Sequence, residues 1–446
     1  MTGKFLLFVL YCIFATMMKL KHFFILICAL CCLMPISAQN TISSSRGSSA
    51  SGRSLGTHDR NGNPIDTTAV TDAKTIPIGL TQWKVTRRLG NIVPVVIDTL
   101  HAGFQNSNDP AGPTGQYNYL GNLGAPRMSR IFFDRREESQ FVFTDPYDQS
   151  VLRPEDVTFT NTLSPFTNLT YYKSFANRNS GERFKSYFAV NANSKLGFGF
   201  FVDYIYGRGM YNNQSTAMFN TGLFSSYLGD KYNMHFIFSY DNQKLRENGG
   251  ITDDRYITDP LAMAEGKKQY SSTDIPTLLN KVWNHNTSIH TFLTHRYNLG
   301  FYKEKIDSVE TDSINVIKEF VPVTSFIHTL EFDRNKRKYV SQDHAQNQQL
   351  FEHNYFGSDS TDIAKRNSLR NTFGISLREG FNKWAKAGLT AYLTHEYRDF
   401  GLRDTTENGR IIMKQYKENA VFVGGELLKE QGKLLHYKVL GELGIA

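Results

Sequence analysis

The chain has 446 residues, of which 40% are hydrophobic and 13% aromatic, with 34 glycines and a formal charge of +8. That length suits two or three soluble domains or one large barrel, and beyond the N-terminus no apolar run is long enough for a membrane-crossing helix. The basic residues are scattered rather than clustered, which argues against a nucleic-acid partner.

Residues 18–39, MKLKHFFILICALCCLMPISAQ, read as a secretory signal. Lys19 and Lys21 form its charged start, Phe23 to Leu33 its apolar core, and Ile36-Ser37-Ala38 its small-residue cleavage site. The apolar run upstream, ending at Met17-Met18, is taken as an over-extended start, with Met18 the true one; a helical membrane anchor is the rival reading. Residues 1–38 would then be removed, taking Lys4, Lys19 and Lys21 with them and lowering the charge from +8 to +5. Cys12, Cys28, Cys31 and Cys32 would leave too, so the mature chain is expected to hold no disulfide, thiolate metal site or cysteine nucleophile. Residues 39–75 are rich in Ser, Gly, Thr, Asn and Asp, the composition of a disordered linker. Asp59-Arg60-Asn61-Gly62-Asn63 only faintly suggests a calcium loop, because the glycine falls one place early and no bidentate Glu follows.

Residues 76–160 are mixed and turn-rich, and are expected to form a periplasmic or plug-like segment. From 161 to 446 the signal is alternation. Leu196, Phe198, Phe200, Val202, Tyr204 and Tyr206 fall on one face of a strand, against Gly197, Gly199, Phe201, Asp203, Ile205 and Gly207 on the other. Tyr232, Met234, Phe236, Phe238 and Tyr240 likewise oppose Asn233, His235, Ile237, Ser239 and Asp241. A long aromatic face set against a mixed polar one, over about ten residues, is the pattern of a membrane-spanning barrel strand. Strands are predicted at 166–175, 183–193, 196–209, 216–228, 232–243, 287–301, 320–333, 367–378, 385–398, 415–428 and 434–445. The connections alternate between short ones and the long polar stretches 244–286 and 334–366, with 302–319 an intermediate connection on the short side. Short turns are periplasmic in such barrels, so the N-terminus is expected there. The predicted fold is therefore an all-β, transmembrane, antiparallel up-and-down barrel. An odd strand count and an end inside a strand pattern lead us to expect a barrel that is incomplete here, truncated at its C-terminus.

Several stretches resemble one family. Trp83, Asp98-Thr99-Leu100-His101, Phe104-Gln105-Asn106 and Tyr119 to Gly124, then SPFTNLTYYK (Ser164 to Lys173), RFKSYFAVN (Arg183 to Asn191), YGRG (Tyr206 to Gly209), NGGITDDRYIT (Asn248 to Thr258) and LTHRYNLG (Leu293 to Gly300) are similar to the Bacteroidetes outer-membrane family known as putative porins. The resemblance spans Trp83 to the C-terminus. It implies a Gram-negative outer-membrane location and a barrel more firmly than it implies a substrate.

The predicted function is passive diffusion of small hydrophilic solutes through a polar lumen, with outer-membrane lipids and the outer-membrane assembly machinery as partners. No catalytic residue, metal or cofactor is expected. Candidate lumen residues are Arg183, Lys185, Arg296, Arg370, Arg378, Lys386 and Arg398, against Asp203, Asp241 and Glu396, because Arg or Lys facing mid-bilayer lipid costs about 2–4 kcal/mol. This set leans weakly toward anions. Tyr204, Tyr206, Tyr227, Tyr232 and Tyr240 are candidate lipid-interface aromatics. In the longest loop, Asp253 and Asp254 after Gly249-Gly250 are either cation ligands or internal partners of the loop, and Trp283 to Asn286 reads as an interface anchor. A barrel with a structural or assembly role stays open. An outer-membrane hydrolase stays open too, although no nucleophile motif flanks His290, His295, His328, His395 or His436. A soluble secreted β-sandwich is a further rival.

Overall fold

The computed structural model describes residues 79–445, apart from 98–114, 119, 137–138, 148–149, 175–178, 265–270, 311–312, 351–359, 382–385 and 430–434. The signal sequence, the linker and the Asp59–Asn63 stretch lie outside the described residues.

Three short strands, β1 (Thr81–Val85), β2 (Ile92–Val95) and β3 (Phe159–Asn161), make a small antiparallel sheet in the order β2-β1-β3. The remaining strands form one 11-stranded antiparallel sheet in strict sequence order. They are β4 (Phe166–Lys173), β5 (Gly181–Asn191), β6 (Leu196–Arg208), β7 (Ser215–Leu228), β8 (Tyr232–Arg246), β9 (Val282–Glu310), β10 (Ser313–Ser341), β11 (Thr361–Leu377), β12 (Gly388–Thr405), β13 (Ile411–Lys429) and β14 (Tyr437–Gly444). The architecture is all-β and up-and-down, as the alternation predicts. Among the described residues, the outermost strands β4 and β14 each pair on one side only.

The tight turns follow from local chemistry. Between β5 and β6, Asn193 Oδ1 accepts from the backbone N–H groups of Lys195 (2.8 Å) and Leu196 (2.9 Å), a side chain closing the turn in place of backbone. Between β7 and β8, Gly229 N–H donates to Tyr232 O at 2.9 Å. One expectation fails here. Residues 302–319 are not a connection: β9 and β10 each run 29 residues and pair along most of their length, through Tyr302↔Phe320 as far as Ser313↔Glu310. The stretch KEKIDSVE is mostly polar at both alternating sets of positions, so no period-two contrast marks it, and pairing with the facing strand makes it a strand.

The large sheet wraps around the small one. Thr160, in β3, hydrogen-bonds the Tyr187 hydroxyl of β5 at 2.7 Å, while Arg88, three residues past β1, pairs with Glu442 of β14 at 3.1 Å. On a flat sheet β5 and β14 would stand about 43 Å apart, nine strand spacings. A three-stranded unit about 10 Å wide reaches both only because the large sheet curls into a wall around it.

Close approach is enforced by glycine. A Cβ on Gly207 of β6 would lie 2.0 Å from the Leu123 carbonyl oxygen, backbone against backbone. Gly207→Val should therefore leave the wall folded, since Val suits a strand, while driving the stretch around Leu123 off it. Limited proteolysis should show new cleavage near Leu123 with unchanged β-sheet circular dichroism, and an unaltered digestion pattern would contradict this packing.

Candidate functional site

Inward and outward faces separate as the alternation requires. On β6, Gly197, Gly199, Phe201, Asp203, Ile205 and Gly207 are buried, and the intervening residues are half-buried or exposed. On β8, His235, Ile237, Ser239, Asp241, Gln243 and Leu245 are buried, with Tyr232, Met234, Phe236, Phe238 and Tyr240 on the other face. Past Tyr240 that outer face turns polar, reading Asn242, Lys244 and Arg246. Tyr204 and Tyr206 lie outward on β6, and Tyr227 and Tyr232 flank the β7–β8 turn with ring centroids 6.0 Å apart.

The segment from Gly79 to Thr162 meets the inner wall in two different ways. Against β5 to β9 the contact is built on two apolar clusters, with hydrogen bonds such as Asn286 Nδ2 to the Phe143 carbonyl at 3.1 Å beside them. Trp83, Val85, Val157 and Phe159 pack with Ala189, Phe201, Phe224, Ile237 and Phe292. Leu123 and Tyr147 pack with Ile205, Met218 and Leu245. Trp83 stacks on Phe159 at 6.1 Å and donates its indole N–H to His235 Nε2 at 3.0 Å. Burial in the second cluster, with Glu247 nearby, raises the Tyr147 phenol above its ordinary pKa, so it stays neutral.

Against β10 to β14 the contacts are mainly polar, although the buried Leu89 packs at Gly374 of β11. Arg87 Nε donates to both Glu331 carboxylate oxygens at 2.7 and 2.9 Å. Asn91 donates to Glu426 at 2.9 Å and accepts from Arg296 of β9 at 2.5 Å. Arg366 Nη2 donates to Gln140 Oε1 at 3.0 Å. Between the segment and this half of the wall lies a cavity of about 530 Å³, lined among others by Arg87, Arg136, Arg153, His290, Asp333, Arg366, Arg370 and Glu396. A second cavity of about 350 Å³, at the short-turn end, is lined by Asp230, Asn233, Arg296, Asn298, Arg378 and the start of β10.

The candidate lumen residues divide accordingly. Arg183 and Asp203 form a bidentate pair across β5 and β6, Nε–Oδ1 2.9 Å and Nη2–Oδ2 2.6 Å, with both side chains buried. Lys185 stands opposite Asp203 in register. Asp241 faces His290 Nε2 at 3.6 Å, and His290 Nδ1 contacts Asp333 at 2.7 Å. Both His290 nitrogens thus face carboxylates, not a hydroxyl that could act as nucleophile. Glu396 is held by Arg370 at 2.9 Å and Arg398 at 3.0 Å. Arg296 and Arg378 share the second cavity. Lys386 departs from expectation: it is exposed in the β11–β12 connection, because β12 begins at Gly388 rather than 385.

Glu331, Asp333 and Arg366 were absent from the sequence-derived set although the signal for them exists. Leu330 and Phe332 point outward, which places Glu331 and Asp333 inward. From Arg366 onward the inner face of β11 holds no acid: Arg366, Ser368, Arg370, Thr372, Gly374 and Ser376, continuing to Arg378 just past the strand; its carboxylate, Asp362, stands near the strand's start. Of the remaining histidines, His295 and His328 hydrogen-bond each other at 2.9 Å on the outer face, His395 is also outward, and His436 precedes β14. In the loop after β8, both Asp253 oxygens are taken by Arg255, at 2.6 to 3.1 Å, so they serve the loop itself.

Asp203→Asn would leave Arg183 buried without its counter-charge. The expected loss is roughly 3–5 kcal/mol of stability, read as a lower unfolding midpoint in detergent, with the double change Arg183→Leu/Asp203→Leu recovering most of it.

Comparison with protein families gives one finding: the model of the family described as "Putative porin" matches residues 79–446. The match covers most of the chain, and the chain belongs to that family. Comparison with curated proteins gives no match.

Proposed function

Because the chain is a member of that porin family, we propose that it is an outer-membrane pore protein through which small hydrophilic solutes diffuse passively. In this reading the large sheet crosses the membrane with its aromatic faces toward lipid, and residues 79–162 act as a plug that narrows the lumen. One observation carries it: the cavity of about 530 Å³ between the segment and the wall is lined by ionised and polar groups, while the opposite half of the wall is sealed by apolar packing. A polar lining lowers the cost of moving a hydrated solute across hydrocarbon, which is what a diffusion pore must supply. Solutes would thus pass beside β10 to β12, and the stretch of the inner face of β11 from Arg366 to Arg378, which carries arginines and no acid, supports a lean toward anions. The apolar seal also supports a second reading, a closed barrel with a structural or assembly role.

Planar-bilayer recording on the full-length protein tests this. Discrete conductance steps are expected, larger after deletion of residues 79–162, with reversal potentials on the anion-selective side in a salt gradient. A folded, membrane-inserted barrel that stays silent even without residues 79–162 would sink the pore reading, and cation selectivity would sink the anion lean alone.

A further inference from the structure

Beyond the apolar belt, on the side of the long loops, the outer faces of β8 to β11 become cationic. The belt ends at Tyr240 on β8, Ile289 on β9, Phe332 on β10 and Leu369 on β11, positions that lie close in register across the four strands. The next outward residues include Lys244 on β8, Arg334, Lys336 and Lys338 on β10, and Lys365 on β11, with Asn242, Thr287, His285 and Asn367 between them. No Asp or Glu occurs among these outward positions of β8 to β11; on the adjoining β12 the outward Asp399 stands opposite Asn367.

Register presses the charges together. Lys336 stands directly opposite Lys365, and Lys338 stands opposite His285, which stands opposite Lys244. Like charges facing each other across a ladder destabilise a sheet, and none of these four lysines has a carboxylate within ion-pair distance among the described residues. The inner positions of the same strands treat charge differently: Arg337 pairs with Asp362 at 3.3 Å and Glu331 with Arg87. The outer set of β8 to β11 thus carries more positive charge than its own face balances, which leaves it open to an anion from outside the chain.

Height identifies it. The cations sit two to six residues past the last apolar residue, which for tilted strands is roughly 5–15 Å above the hydrocarbon edge, the depth of lipid headgroups. Trp283, within 5.8 Å of both Lys244 and Arg246, marks the same level as an interfacial ring. We propose that the outer face of β8 to β11 is a binding surface for the phosphate groups of lipid headgroups in the leaflet on the long-loop side, held by Lys244, Lys336, Lys338 and Lys365. The proposal rests on the reading that this sheet spans a bilayer. It does not require conduction.

The test uses the full-length protein folded in a zwitterionic detergent and titrated with diphosphoryl lipid A, following bound lipid and the thermal unfolding midpoint. Saturable binding that raises the midpoint is expected, together with loss when the lipid's phosphates are removed. The variant K336Q/K338Q/K365Q should bind about a hundredfold more weakly, the combined effect of three surface cations. Without lipid that variant should unfold no lower than the parent, because the substitutions relieve repulsion; this separates lost binding from lost folding. Equal binding of dephosphorylated lipid, or undiminished binding by the triple variant, would overturn the proposal. Binding by a protein that proves silent in bilayers would leave this surface standing and remove the pore. A chain that stays dispersed and folded without detergent would instead remove the bilayer reading on which both depend.

Discussion

The rest of the structure depends on the two-sidedness of a strand. Successive side chains must point to opposite faces, so a sheet with an apolar outer face has an inner face whose composition is free to differ. In this chain that freedom is used for charge. Arg183, Asp203, Asp241, His290, Glu331, Asp333, Arg366 and Glu396 all lie inward, where an isolated ion would be costly, and each is within 4.0 Å of an opposite partner. Backbone pairing is satisfied along the sheet between β4 and β14, which leaves side chains to decide what the wall faces on each side.

The segment before β4 meets this wall as two surfaces. From β5 to β9 it is held as a protein core is held, by Trp83, Phe159, Leu123 and Tyr147 in contact with inward apolar residues. From β10 to β14 it is held by guanidinium–carboxylate and amide contacts across a polar cavity. The backbone comes within contact distance of the wall at Gly207, where a side chain is missing, so the fit is set by glycine as much as by the residues that fill space.

Much of the wall was legible in the sequence because alternation is a local signal. The faces of β6 and β8 follow from their own residues, and the short turns follow from Asn193 and Gly229. What failed to read lacked local contrast or depended on distant partners. The β9 half of the β9–β10 extension, KEKIDSVE, is mostly polar at both alternating sets of positions, so it carries no clear period. Lys386 was placed by extending the pattern of β12 backward past Gly388. Trp83 and His235 are 152 residues apart, and no spacing rule connects them. Glu331 and Asp333 were readable as inward, but their partner Arg87 belongs to a turn-rich stretch without periodicity, and the sequence does not say where that stretch sits.

The divided attachment of the N-terminal segment has a consequence in solution conditions. Contacts through Arg87, Arg88 and Asn91 are electrostatic and partly solvated, so simple salt at molar strength, where the screening length falls to about 3 Å, weakens them. The contacts of Trp83 and Phe159 with β7 to β9 are mainly apolar, apart from the indole N–H to His235, and excluded salts such as sulfate tighten the apolar part. A rise in ionic strength therefore acts in opposite senses on the two sides of one segment. The choice of salt, rather than its amount alone, sets which side of the wall holds it.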